Sequence, residues 1–143
     1  MHHVCTIVVW SVACRNRVVG KQGWAIMDEP IYKICARGAW ENACRAGYFT
    51  GSPDDLRDGF IHFSTAEQLE GTLAKHFAGQ VDLVLVQVDL RALAMEVRWE
   101  ASTGGKLYPH LYGSLPTAAA VRVSPLPLGT DGRHSLPEGF DAC

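Results

Sequence analysis

The sequence predicts a small α+β domain, and three observations carry that expectation. The first is the order of elements, β-α-β-α-β-β-loop-β, which holds too few regular strand–helix–strand crossovers for a doubly wound sheet. The second is the stretch from Val81 to Leu90, apolar almost throughout, the pattern of a central strand covered on both faces. The third is the alternation over Met95 to Glu100, which puts Met95, Val97 and Trp99 on one face and Glu96, Arg98 and Glu100 on the other. At 143 residues the chain has the usual size of one domain. With 48% apolar and 20% charged residues it can build a full core and does not read as disordered.

Taken in order, residues 1–26 change character repeatedly: an apolar patch from Val4 to Cys14 meets Arg15, Arg17 and Lys21, and no single period runs through both. They read as an extension to the domain, with Met27 as the natural start and the domain running over residues 27–128. Ile31-Tyr32-Lys33-Ile34 is a short strand. Ala36, Ala39, Trp40, Ala43 and Cys44 recur at helical spacing and stop near Gly47. Thr50 to Asp55 has loop composition, and Phe60-Ile61-His62-Phe63 is a strand whose alternate side chains face opposite ways. Ser64-Thr65-Ala66-Glu67 matches a capping box, opening a helix to Phe77 with Leu69, Leu73, Ala74 and Phe77 as its buried stripe. After the two strands described above, Ala101 to Lys106 and the crowded Leu107 to Gly113 read as loops, and Ala118 to Val123 as a last strand. Prolines and glycines after Ser124 predict a poorly ordered end, with residues 129–143 as a tail.

The net charge of −2 and the absence of a Lys/Arg run argue against nucleic acid as a partner, while leaving room for a small nucleotide. No apolar run approaches the ~20 residues a membrane helix needs. The five cysteines lack metal-ligand spacing or a paired framework, so no metal site is expected and reduced thiols in a cytoplasmic protein are. Ser11-Val12-Ala13-Cys14 has some likeness to a lipid-attachment site, but Met1-His2-His3 lacks the cations of an export signal. Hydrolase, metalloprotease and dinucleotide-fold motifs are missing.

Three places are candidates for chemistry. His62 interrupts an apolar strand just before a capped helix, where backbone N–H groups favour anions; the plainer role is a histidine satisfied by a carbonyl. Glu100 ends a strand before a glycine-rich loop, to accept ribose hydroxyls, orient a nucleophile, or simply be solvated beside Arg98. Tyr108-Pro109-His110-Leu111-Tyr112-Gly113 offers two aromatic rings and an imidazole, as a stacking surface with a proton donor or as a packed loop. Tyr32 with Lys33 is a weaker pair, Lys33 reading as a solvated charge and His76 as structural.

Ile31 to Ile34, Asp58 to Gln68, Val97-Arg98-Trp99-Glu100 and Pro109 to Gly113, in that order, resemble the bacterial domain of unknown function 952 family over about Ile31 to Pro125. The resemblance implies a fold similar to the ADP-ribosyltransferase superfamily, a small split, curved β-sheet with two main helices around a cleft that takes NAD. On that likeness His62 and Ser64 hold a ribose, though Phe63 stands where a small residue is usual. One of Tyr32, Tyr108 or Tyr112 stacks on nicotinamide, and Glu100 is the nearest match to the catalytic glutamate. His62, Glu100 and His110 are thus the expected catalytic set, with Tyr32, Ser64, Tyr108 and Tyr112 binding ligand. The expected function is binding or processing of a nucleotide-like small molecule such as NAD or ADP-ribose. The alternative is a non-catalytic module for a protein or metabolite.

Overall fold

The computed structural model describes residues 30–93, 96–102 and 104–137. The extension over residues 1–26, the start expected at Met27, and Met95 lie outside them. β1 (Ile31–Ala36) is buried at every position but the last. α1 (Arg37–Ala46) turns Trp40, Ala43 and Cys44 inward and closes on Gly47 at φ 93, a left-handed cap that favours glycine. Next come β2 (Tyr48–Phe49), α2 (Pro53–Asp58) and β3 (Ile61–His62). A 3-10 turn over Ala66–Gln68 leads into α3 (Leu69–His76). β4 (Leu83–Val88), β5 (Val97–Ala101), β6 (Leu107–Leu111), β7 (Leu115–Pro116) and β8 (Ala120–Leu126) complete the described chain.

The strands form three antiparallel groups, β1-β4-β8, β3-β6-β5 and the ribbon β2-β7, so the expected α+β class stands. As its composition predicts, β4 is the centre of its sheet and divides the interior. Val84, Val86 and Val88 face a main core with Trp40, Phe63 and Leu111. Leu83 and Leu85 face a second cluster with Leu69, Leu73 and Leu126. Each such side chain contributes roughly 1.5–3 kcal/mol on burial, and β4 supplies them to both clusters.

Several expectations need correction. Leu107 to Leu111 is a central strand and not a loop, despite Pro109. The Pro109 carbonyl accepts from the Phe63 N–H at 3.0 Å, but proline has no N–H to return. The β3–β6 ladder therefore ends at the His62–His110 pair. Ser64 then turns to β1 instead, exchanging backbone hydrogen bonds of 2.8 and 2.9 Å with Tyr32. Proline thus marks where the chain leaves one sheet and joins the other.

Thr50 to Asp55 is only partly loop, because Pro53 opens α2 with Ser52 and Asp55 as a reciprocal capping box. The cap before α3 lies one residue later than expected, on Thr65 and Gln68 and not on Ser64 and Glu67. Ala74 is exposed, leaving Leu69 and Leu73 as the buried stripe with Phe77 packed beside them. The last strand reaches Leu126, and Leu136 packs on the second cluster. Cys35 is a buried free thiol, but Cys44 is disulfide-bonded, against the expectation of reduced thiols throughout. No helix among the described residues is long and apolar enough to cross a membrane.

Candidate functional site

Where β1 meets the β3-β6-β5 sheet, a cavity of about 240 Å³ opens between α2 and α3. Its deepest charged pair is Lys33 with Asp55. A lysine on a strand buried on both faces must find a carboxylate, and Lys33 is only 4% exposed. Its Nζ lies 2.7 Å from Asp55 Oδ2, so Lys33 is a buried ion-pair partner and not the solvated charge expected.

The α2 cap delivers that carboxylate. Asp55 is the third residue of α2, and its Oδ2 also accepts from the Ser52 N–H at 2.8 Å. Oδ1 accepts from the His62 N–H at 3.1 Å and lies 2.6 Å from His62 Nδ1. Four contacts use the full acceptor capacity of one carboxylate. Burial by itself would raise the Asp55 pKa, but the His62 hydrogen bond and the Lys33 charge outweigh it and hold the carboxyl well below its usual range.

His62 is half-exposed, with Asp58 Oδ2 3.0 Å from its Nε2. Both ring nitrogens of His62 therefore face a carboxylate oxygen of α2. Across the strand pair stands His110, buried, its ring centre 5.3 Å from that of His62 in an edge-on arrangement. Its Nδ1 lies 2.7 Å from Glu100 Oε1, and among the described residues its Nε2 has no hydrogen-bond partner. Phe60 stacks on His110 at 4.1 Å and lies 4.7 Å from His62, wedging the two imidazoles in place.

The three residues singled out for catalysis therefore come together, although Glu100 does so behind His110 and outside the cavity wall. The Tyr112 hydroxyl donates to Glu100 at 2.9 and 3.1 Å, and Arg98 covers the Tyr112 ring at 4.6 Å. The His110 hydrogen bond, followed by that from Tyr112, lowers the Glu100 pKa, and the same contact with Glu100 raises that of Tyr112. Tyr112 stands apart from the cavity, whereas Tyr32, Ser64 and Tyr108 line it. Ser64 Oγ meets Thr72 Oγ1 at 3.2 Å.

Sequence reasoning missed Asp55, Asp58 and Phe60. The Ser52-Pro53-Asp54-Asp55 spacing is itself a helix-start signature and would have revealed α2. Nothing local marks the convergence of Asp55 on Lys33. Among the described residues no group of three His, Cys, Asp or Glu side chains is arranged to hold a metal ion.

A small α+β domain with paired imidazoles at a sheet junction defines the class of protein. The chain belongs to the family described as protein of unknown function (DUF952), whose model matches residues 34–123. It is similar to the crystal structure of protein CC0527 from Caulobacter crescentus, with 44% identity and a TM-score of 0.74, covering 78% of this chain and 97% of that one. The solution NMR structure of the same Caulobacter protein gives 44% identity and a TM-score of 0.67, over 80% and 96%. No curated protein matches.

Proposed function

We propose that this protein binds, in the cavity between α2 and α3, a nucleotide-like small molecule such as ADP-ribose or part of NAD, and that His62 and His110 act on it. One observation carries the reading: two cavity-lining imidazoles face each other across one strand pair, each with a carboxylate at Nδ1. At His110 the Glu100 carboxylate on Nδ1 fixes the ring and leaves Nε2 open for proton exchange. His62, held by Asp55 and Asp58 at its two nitrogens, would exchange a proton with the ligand only by displacing Asp58. Glu100 then acts through His110 as a positioning residue, not on the ligand itself. Tyr32, Ser64 and Tyr108 supply the wall against which a sugar or base rests.

Size limits the ligand. Sites for drug-sized molecules occupy about 300–1,000 Å³. At about 240 Å³ the cavity takes a mononucleotide-sized part, and the remainder of a dinucleotide would lie outside. The junction of two antiparallel sheets around a cleft also supports reading the architecture as ADP-ribosyltransferase-like. A cytoplasmic setting goes with this reading, since such ligands are intracellular.

Calorimetric titration with ADP-ribose and with NAD is the test. Heat with either ligand, lost in His62→Ala, is the expected result; silence from both at millimolar concentration overturns it. The alternative is a non-catalytic binding module, and one feature favours it: Asp55, deepest in the cavity, spends all four acceptor positions on the protein itself. ADP-ribose binding with no turnover of NAD, followed by chromatography, selects that reading.

A further inference from the structure

The cavity is electrically lopsided. All three of its lining carboxylates, Asp54, Asp55 and Asp58, belong to α2. Two of its cations are already neutralised: Lys33 by Asp55, and Arg57 by Asp54 at 3.1 Å and Asp58 at 3.2 Å. The opposite wall, on α3, presents Gly71, Thr72, Lys75 and His76 and no carboxylate. These positions are three and four residues apart and form one continuous patch. Among the described residues Lys75 and His76 have no side-chain partner.

Basic residues in the last turn of a helix ordinarily complement its dipole, which accounts for Lys75 and His76 but not for Gly71. Glycine inside a helix costs about 1 kcal/mol relative to alanine. A Cβ at Gly71 would meet no atom within 4 Å, so packing does not require its absence. Gly71 lines the cavity with open space where a Cβ would stand, together with Lys75 and the paired hydroxyls of Thr72 and Ser64.

We infer that the α3 wall is an oxyanion seat, in which a phosphoryl group of the ligand lies over Gly71 between the Thr72 hydroxyl and the Lys75 ammonium. The inference rests on the reading of this cavity as a small-molecule site and assigns its orientation: phosphate toward α3, sugar toward His62 and His110.

AMP and adenosine differ only in the phosphate and serve as probes, with inorganic phosphate as a third. Nuclear magnetic resonance titration of the full chain would follow the Gly71, Lys75 and His62 signals. AMP should bind about tenfold or more tightly than adenosine, the worth of one charge-assisted hydrogen bond. Lys75→Gln and Gly71→Val should erase that difference, while His62→Ala weakens both ligands alike. Gly71→Ala is the folding control and should raise thermal stability slightly. Equal affinities for AMP and adenosine, both lost in His62→Ala, would overturn the oxyanion seat and leave the proposed function standing. Phosphate-induced shifts at Gly71 that vanish in Lys75→Gln, without nucleoside binding, would keep the seat and overturn the nucleotide reading. No response to any of the three probes overturns both.

Discussion

Asp55 shows how much one buried carboxylate can organise. It ties β1 through Lys33, caps α2 through Ser52 and holds His62 by both backbone and ring. Removing one partner of a buried ion pair strands the other, at a cost of about 3–5 kcal/mol. Asp55→Ala should therefore lower stability by about that much in urea unfolding, and Lys33→Met by less than Lys33→Ala. The pH dependence follows from the direction of the shift. Because the folded pKa of Asp55 is depressed, its contribution is complete above the unfolded value of about 3.9 and is lost as pH falls through the folded one. Wild type should lose stability on acidification below about pH 4, and Asp55→Asn should flatten that slope. At Glu100 the same logic is local: Tyr112→Phe removes a hydrogen bond that favours the ionised carboxyl, so Glu100 should titrate at higher pH, read by carbon NMR. Burial pushes the Cys35 thiol up to about 12, so it should resist alkylation until the protein unfolds.

Short elements do the positioning. α2 is only six residues long and owes its place to the Ser52–Asp55 box and Pro53 at its start. Ser52→Ala should cost about 1 kcal/mol in thermal unfolding. It should leave the Asp55 carboxylate in place, because that group accepts from the residue 52 backbone N–H, which alanine keeps, so ligand binding should fall no more than stability predicts. Pro109 plays the complementary part in β6: by withholding one N–H it stops the ladder at His62 and frees Ser64 to pair with Tyr32. Element type was largely legible beforehand. α1 follows its periodicity, β4 forms within the greasy stretch over Leu83–Val88, and α3 forms behind a cap one residue later than its pattern predicts. Leu107 to Leu111 was not, because proline, histidine and tyrosine have loop-like composition, and only two neighbouring strands make a strand of it.

For the whole molecule, β4 divides the interior and α2 and α3 flank the cavity at the sheet junction. Leu85→Ala, beneath α3, should cost about 2–5 kcal/mol by leaving a void in the second cluster. Amide exchange should be slowest in β4, which is hydrogen-bonded to strands on both sides, and faster in α2, which rests on caps and one ion pair. The cavity thus lies between a stable sheet and a weakly held helix.

His62, Glu100 and His110 could be picked out in the sequence because each breaks a local pattern: a polar residue in an apolar strand, a carboxylate at a strand end, an imidazole in an aromatic crowd. Backbone periodicity and capping are short-range, and so local pattern and element order by themselves pointed to the class of fold, the central strand and these three candidates. Which side chains meet depends on pairing partners far apart in the chain. Only the tertiary structure decided that Lys33 is buried against Asp55, that Glu100 stands behind His110, and that Tyr112 is not part of the cavity lining. Strand register and the burial of a charge are settled by the assembled interior, where a carboxylate from one segment answers an ammonium from another.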